Sequence, residues 1–200
     1  MDSLIPFFDP IRGVTMPALI IKIFLAVFFG GLIGLERGHK HRAAGSRTYM
    51  IVCLGAALTM ILSHYETYIM RNLWEEIAKM LDKQVDVSRY SAKVISGIGF
   101  LGAGTIIVTG RQEIKGLTTA AGLWASACMG LAIGSGYYEC AILGFLLILL
   151  TTIVFEKISS WVISNARNMD LYVEFEKIEN LGEIINTFKE MNIQIFDVDI

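Results

Sequence analysis

Long apolar runs separated by short polar segments dominate the first 155 residues of the chain. Five runs stand out, each 17 to 19 residues long: residues 17–35, 48–64, 91–109, 117–135 and 138–155. A helix needs about 20 mostly apolar residues to cross the hydrocarbon core of a bilayer. The pattern therefore predicts an all-α polytopic membrane bundle of about five transmembrane helices within residues 1–165. The third and fourth runs are short and rich in glycine, so re-entrant or half-buried segments are the alternative there.

The polar segment between the second and third runs contains a predicted amphipathic helix. Ile69, Leu73, Ile77 and Met80 recur at helical spacing, with charged residues on the opposite face. A helix of this kind typically lies on the bilayer surface. A helix that binds a partner is the alternative.

The pattern changes in the last 35 residues, 166–200. Residues 171–178 and 193–200 alternate apolar and polar positions as strands do. Between them, Asn180 is a candidate N-cap for a helix whose apolar stripe is Leu181, Ile184, Ile185 and Phe188. The pattern predicts a small β-α-β unit. Two strands and one helix are too few for independent stability, so the unit either pairs with another copy or is part of a larger domain.

Basic residues in the short loops predict the orientation of the bundle. The loop of residues 36–47 holds four basic side chains and residues 110–116 hold two, whereas residues 134–139 hold none. Cytoplasmic loops carry the excess of Lys and Arg, so we expect the N-terminus outside and the tail in the cytoplasm. The segment of residues 66–89 weakens this prediction because it also carries four basic residues.

Composition supports a membrane environment and excludes several other classes. The chain is 54% apolar and 18% charged, against about 45–50% and about 25% in soluble domains. Its net charge of −2 divides into −5 for residues 166–200 and +3 for the rest. No basic stripe typical of nucleic-acid binding is present. The first apolar run lacks a basic n-region and a cleavage pattern, so we interpret it as a retained span.

Small residues repeat along three of the predicted helices. We interpret them as helix-packing faces, because small side chains let membrane helices approach closely. Such faces predict a tight bundle, or an oligomer, with little room for a wide aqueous pore. Replacing Gly130 with leucine is then expected to disrupt association without preventing insertion. The residues are Gly30, Gly34, Ser96, Gly99, Ala103, Gly122, Ser126, Gly130 and Gly134.

Polar side chains at the predicted span ends are the candidates for a functional site, because charge near lipid is costly. The alternatives are positive-inside anchoring for the arginines, and helix capping for Asp86 and the threonines. The candidate residues are Glu36, Arg37, Arg47, Asp86, Arg89, Thr118 and Thr119.

Catalytic and cofactor motifs are absent from the sequence. There is no HExxH, GxSxG or P-loop, and Cys53, Cys128 and Cys140 lie in apolar runs without metal-ligand spacing. Gly97-x-Gly99-x-x-Gly102 matches the dinucleotide fingerprint, but it lies in an apolar run rather than between a strand and a helix. We therefore expect no enzymatic activity, no cofactor and no bound metal.

Four segments carry a resemblance to a known family: GGLIGLERG, AGSRT, DVSRYSAKVISGIGFLGAGTII and KGLTTAAGLWASACMGLAIGSGYY. In order and spacing, over residues 17–157, they resemble the MgtC/SapB family of bacterial membrane proteins. Lys115 stands where the family usually has arginine, and Ser46 where an apolar residue is common. Lysine in place of arginine would weaken a bidentate contact.

The resemblance implies a non-enzymatic regulator in the bacterial inner membrane that contacts itself or a membrane partner. Virulence members are linked to growth at low magnesium and to restraint of the ATP synthase. Those members carry a C-terminal domain resembling the ACT fold, of which the tail here resembles only the first half. Other members lack that domain, so the ATP synthase is a partner by resemblance only.

The rival hypothesis is a small transporter or channel for Mg²⁺ or another ion. Mg²⁺ requires oxygen ligands, and Glu36, Asp86 and Glu139 are the carboxylates near the predicted membrane. The predicted orientation places Glu36 on the side opposite the other two, so a site would need oligomerisation. A third hypothesis is a small-molecule sensor that binds its ligand in the tail.

Overall fold

The computed structural model describes residues 6–40, 42–80, 86–108, 114–165, 172–174, 180–191 and 193. The chain divides into two compact units, Met1–Ile158 and Ser159–Ile200, which we describe separately. After a 3₁₀ turn at Pro6–Phe8, the elements in chain order are α1 (Asp9–Arg12), α2 (Met16–His39), α3 (Ser46–Asn72), α4 (Glu75–Met80), α5 (Ser88–Ala103), β1 (Ile107–Val108), β2 (Ile114–Lys115), α6 (Leu117–Ser135), α7 (Tyr138–Leu150), α8 (Glu156–Asn165) and α9 (Asn180–Glu190).

Four helical stretches among the described residues are long and apolar enough to cross a membrane. They are α2, α3, α6 and the stretch Tyr138–Val162, in which a π-helical turn at Thr151–Phe155 joins α7 to α8. The predicted third span, residues 91–109, does not meet this length criterion. Its helix, α5, has 16 residues and rises about 24 Å, short of the roughly 30 Å hydrocarbon core.

The predicted third run is shortened because the chain leaves the helix at Gly104. It then turns into β1, which pairs antiparallel with β2. Nevertheless, α5 reaches both ends of the bundle. The Ser63 hydroxyl of α3 donates to the Val87 carbonyl at one end (3.2 Å). At the other end, Gly116 (φ +95°) lies so close to the Thr105 carbonyl that no Cβ fits.

The central helix of the bundle is α3, which lies between α2 and α6. A Cβ built on Gly34 of α2 would lie 2.5 Å from the Ser46 Cα, and one on Gly134 of α6 would lie 2.6 Å from the Ala57 carbonyl oxygen. These approaches bring helix backbones together as small residues do in membranes. The core around α3 is fully buried and includes Ala26, Tyr49, Cys53, Ala57 and Ile133.

The predicted surface helix, whose apolar face is Ile69, Leu73, Ile77 and Met80, is divided in the structure. Ile69 belongs to the extended end of α3 and the chain breaks from helix at Leu73. Within the described residues, α4 covers Glu75–Met80. Leu73 and Trp74 are exposed.

The described part of the second unit contains one of the predicted tail elements. Helix α9 begins at Asn180, and its predicted stripe of Leu181, Ile184, Ile185 and Phe188 is partly buried while the residues between are exposed. Residues 172–174 lie in neither a helix nor a strand. The rest of the two predicted strands, apart from Ile193, lies outside the described residues. The ACT-like half-domain is therefore not shown.

Candidate functional site

An ion-pair cluster closes the end of the bundle where α2 turns into α3. We call it the Lys40 cluster: Glu36, Arg37, Lys40, Arg42 and Glu156. The Lys40 ammonium lies 2.7 Å from the Glu36 carboxylate and 2.5 Å from that of Glu156. Arg42 also pairs with Glu156, at 2.8 Å. The cluster thus ties the end of α2 to the first residue of α8.

The guanidinium of Arg37 is the most deeply buried charge of this cluster. Its side chain is 1% exposed; Nε lies 3.7 Å from the Glu36 carboxylate, and Nη2 donates to the Thr118 carbonyl at 3.4 Å. The Tyr49 hydroxyl donates to the neighbouring Thr119 carbonyl, also at 3.4 Å. A buried guanidinium is tolerated only when it is paired with charge and hydrogen-bond acceptors. Arg37 therefore links the cluster to the first turn of α6.

Lys40 gives the cluster a pH dependence that can be measured. Hydrogen bonds to Glu156 and then Glu36 raise the pKa of Lys40 above 10.5. Because the folded-state pKa is the higher one, the stabilisation is complete below pH 10.5 and is lost as the pH rises through the folded-state value. We expect the gap in melting temperature between wild type and Lys40→Met to be constant from neutral pH up to 10.5 and to shrink above it. The gap should also shrink in acid below pH 4.5, because the hydrogen bond with Lys40 lowers the pKa of Glu156 and protonation of that carboxylate removes the ion pair.

Thermal melts of the purified protein in detergent would measure this gap. Lys157→Met is the matched control, since Lys157 is exposed on the same stretch of chain as Glu156. A gap that stays unchanged across the alkaline range would contradict the prediction.

A second polar cluster lies at the opposite end of the bundle. Arg12 donates to the Gly136 carbonyl (2.9 Å) and pairs with Glu139 at the start of α7.

Two side chains of the same cluster hold the N-terminal segment. Lys22, 1% exposed, donates to the carbonyls of Arg12 and Gly13 at 3.0 and 3.3 Å. The Tyr138 hydroxyl donates to the Ile11 carbonyl at 2.7 Å. Non-helical backbone at membrane depth needs such donors, so Lys22 and Tyr138 hold the N-terminal segment against the bundle.

The seven candidate span-end residues do not form one site. Four lie together at the α2–α3 end: Glu36, Arg37, Thr118 and Thr119, the last two through their carbonyls. Asp86 and Arg89 lie at the other end, beside the Ser63–Val87 contact. Arg47 is exposed and forms no ion pair within the part of the chain that the structure describes.

Asp86 caps the first turn of α5. Its carboxylate accepts from the backbone N–H and hydroxyl of Ser88, at 3.0 and 2.5 Å. These bonds lower the pKa of Asp86. The predicted capping role of Asp86 thus has a geometric basis, although the N-cap residue is Val87.

Sequence reasoning missed Glu156, Lys40 and Tyr49 as parts of the buried polar network. Glu156 directly follows an apolar run, as Glu36 does. An acidic residue at the same predicted membrane level as a basic loop was the available signal. Tyr49 offered no signal in the sequence, because a tyrosine in an apolar run is compatible with a buried position in the bundle and with an exposed one.

The predicted small-residue faces have different environments. On α6, Gly122, Ser126, Gly130 and Gly134 all face α3 of the same chain, and the Ser126 hydroxyl donates to the Tyr49 carbonyl at 3.4 Å. Gly30 and Gly34 of α2 face α3 from the other side. On α5, by contrast, Ser96, Gly99 and Ala103 are exposed, while the buried residues Ile98 and Gly102 face the bundle.

Metal binding has little support from this geometry. Glu36 and Glu139 lie at opposite ends of the bundle, and each is engaged by a basic side chain. Among the residues that the structure describes, no group of three or more His, Cys, Asp or Glu side chains is placed to hold a metal ion.

Comparison with known proteins identifies similar sequences over most of the chain. The MgtC family model matches residues 23–161. A protein of Escherichia coli K12 named "Putative magnesium transporter YhiD" is 35% identical over 176 residues, which cover 88% of this chain and 76% of that protein. Protein SapB of Bacillus subtilis is 28% identical over 191 residues, covering 92% and 78%.

A further relative, protein MgtC of Brucella abortus, is similar over a shorter region. It is 40% identical over 111 residues, which cover 56% of this chain and 40% of that protein. No solved structure matches this chain.

Proposed function

This chain belongs to the MgtC family, and we propose that it is a non-enzymatic membrane regulator that acts by helix–helix contact through α5. The contact surface is the face formed by Ser96, Gly99 and Ala103, which we call the α5 face. The partner is another membrane protein or a second copy of the chain, within the lipid bilayer.

One observation carries this proposal: the α5 face is the exposed one of the three small-residue faces. Those of α2 and α6 are filled by the backbone of α3. On α5, no heavy atom comes within 4 Å of the position that a Cβ on Gly99 would occupy. Close packing of small residues drives helix association in lipid, where the hydrophobic effect does not. The α5 face has this chemistry and lacks an intramolecular neighbour at Gly99.

The proposed setting is the bacterial inner membrane, with the N-terminus outside and the tail in the cytoplasm. The loop after α2 supports this orientation, because it contains Lys40 and Arg42 and cytoplasmic loops carry an excess of basic residues. Low-magnesium growth, virulence and the ATP synthase as a partner rest on family resemblance.

Two substitutions on α5 test the proposal. Gly99→Leu is expected to abolish low-magnesium growth in cells that depend on this protein, because leucine blocks close helix approach. Gly97→Leu is the matched control: Gly97 is equally open, but points away from the α5 face because residues two apart diverge on a helix. Both variants should melt within about 2 °C of wild type, since a Cβ at either position has no heavy atom within 4 Å. Equal growth of the two variants would contradict the proposal.

A transporter for Mg²⁺ or another ion is the second candidate function. It is favoured by the name of the Escherichia coli relative and by the Glu36 carboxylate, whose side chain is only 12% exposed. Sealed proteoliposomes with Mg²⁺ and proton dyes would test it. Flux above that of empty liposomes, lost in Glu36→Gln but kept in a control such as Glu190→Gln, would support transport. Absence of flux from folded, inserted protein would favour the regulator.

A further inference from the structure

We infer that protonation of His64 releases the N-terminal segment, residues 6–13, from the end of the bundle to which it is bound. The segment is held while the imidazole is neutral and is freed in acid. The inference goes beyond the proposed function and uses none of the residues of the α5 face. Its basis is a buried ring nitrogen without a partner beside the lysine that holds the segment.

Side chains of the bundle hold the N-terminal segment by its backbone carbonyls. The Lys22 ammonium of α2 donates to the carbonyls of Arg12 and Gly13, at 3.0 and 3.3 Å. The Tyr138 hydroxyl of α7 donates to the carbonyl of Ile11, at 2.7 Å. Lys22 thus accounts for two of these three hydrogen bonds, and its side chain is 1% exposed. A change that moves the Lys22 ammonium would therefore loosen the segment.

His64 of α3 is the titratable group beside Lys22. Its Nε2 atom is buried and has no hydrogen-bond partner among the described residues. Neutral imidazole can leave one ring nitrogen without a proton, whereas both nitrogens carry one in the protonated ring. Protonation would therefore bury an N–H without an acceptor. It would also place a second positive charge where the charge of Lys22 already acts.

The other elements packed against α3 offer little to offset this charge. Within the part of the chain that the structure describes, Lys22 is the residue whose charge acts on His64. Glu66, two residues further along α3, accepts from the Tyr90 hydroxyl at 2.6 Å, and α6 has no charged residue. The ionisable residues nearest in sequence to this end on the remaining neighbours are Arg89, Tyr90 and Lys93 of α5 and Glu75, Glu76 and Lys79 of α4.

The sign of the effect follows from which form of the ring each state tolerates. The held state disfavours the protonated imidazole, so binding of a proton shifts the equilibrium towards the released state, in which Lys22 moves away. Imidazole ordinarily takes up its proton near pH 6.5, and glutamate near about 4.3. A comparison of pH 7.5 with pH 5.0 therefore titrates His64 while Glu139 remains paired with Arg12. In the proposed orientation, the pH that matters is the one outside the cell.

Hydrogen exchange of the full chain in detergent, followed by mass spectrometry, tests the inference. Exchange rates at pH 7.5 and 5.0 are each divided by the intrinsic rate at that pH. We expect protection of residues 9–13 to fall about tenfold at pH 5.0 in wild type, while residues 50–60 within α3 stay protected. His64→Gln should keep the segment protected at both pH values. His39→Gln is the matched control, because His39 is exposed at the far end of α2, and it should behave as wild type.

A second variant keeps the inference falsifiable if His64→Gln fails to fold. Lys22→Met should leave residues 9–13 weakly protected at both pH values, because the donor to Arg12 and Gly13 is gone. Equal protection of wild type at the two pH values would overturn the inference. An equal fall in wild type and His64→Gln would overturn it in favour of another titrating group, with Glu139→Gln as the variant that identifies the carboxylate of the Arg12 pair. None of these results depends on Gly99, so failure of the proposed function would be recognised separately.

Discussion

Replacing Gly130 with leucine is expected to break the packing of α6 against α3 and to lower the melting temperature by at least about 10 °C. A Cβ at this position would overlap the Cys53 carbonyl oxygen and would lie 3.0 Å from the Ala56 Cβ. The obstacle is mostly helix backbone, which cannot rotate away as a side chain can. Overpacking of a core costs about 1–3 kcal/mol, and more where backbone must move. For a chain of this size, about 3 kcal/mol corresponds to about 10 °C.

Circular dichroism melts in detergent would measure the effect, with membrane fractionation to establish that the variant still inserts. Gly144→Leu is the matched control, because no neighbouring atom lies within 4 Å of a Cβ at Gly144. If Gly130→Leu melted like Gly144→Leu, the close approach of α6 to α3 would be wrong. The sequence alone predicted a tight bundle or an oligomer and expected Gly130→Leu to disrupt association, whereas the neighbour of Gly130 is α3 of the same chain. A loss of association in this variant would therefore follow from a damaged fold.

Removing the charge of Arg37 is expected to destabilise the bundle by about 3 kcal/mol, which is the cost of breaking a buried ion pair. Arg37→Met would leave the Glu36 carboxylate, 12% exposed, with Lys40 as its remaining charged neighbour. The Thr118 carbonyl would also lose its donor. Arg37→Lys should recover only part of the loss, because a lysine cannot reproduce the forked donors of a guanidinium.

The same melts would compare these variants with Arg47→Met. Arg47 belongs to the same basic loop but is exposed, so its loss should change stability by no more than about 0.5 kcal/mol. Equal effects of Arg37→Met and Arg47→Met would mean that loop charge, rather than the buried contact at Thr118, stabilises this end. The double variant Glu36→Gln/Arg37→Met should be less destabilised than the sum of its single variants, because the unpaired charge is removed with its partner.

Much of the helical content could be predicted from the sequence because a bilayer restricts the choice of structure. Backbone groups in hydrocarbon must be hydrogen-bonded internally, so an apolar run long enough to cross becomes a helix. The runs at residues 17–35, 48–64, 117–135 and 138–155 correspond to α2, α3, α6 and α7. The run at 91–109 is the exception, since glycines at its end let the chain turn at Gly104 into β1.

The candidate site was predictable only in part. Glu36, Arg37 and the Thr118–Thr119 pair lie together because the end of α2 and the first turn of α6 meet at one end of the bundle. Their network also depends on Glu156, which is more than one hundred residues away in sequence. No local pattern reveals such a pairing, because it depends on which helices are neighbours.

The sequence by itself determined the family, the apolar spans and the positions of the small residues. The spans can be predicted locally because the thickness of the bilayer, and the need to hydrogen-bond every backbone group within it, apply to each segment separately. The tertiary structure alone decided which small faces are used within the chain. It placed α3 between the glycines of α2 and α6 and left Ser96, Gly99 and Ala103 of α5 exposed. The physical reason is that small residues permit close approach without specifying a partner. Which helix packs against a given small-residue face depends on how all the helices of the bundle pack together.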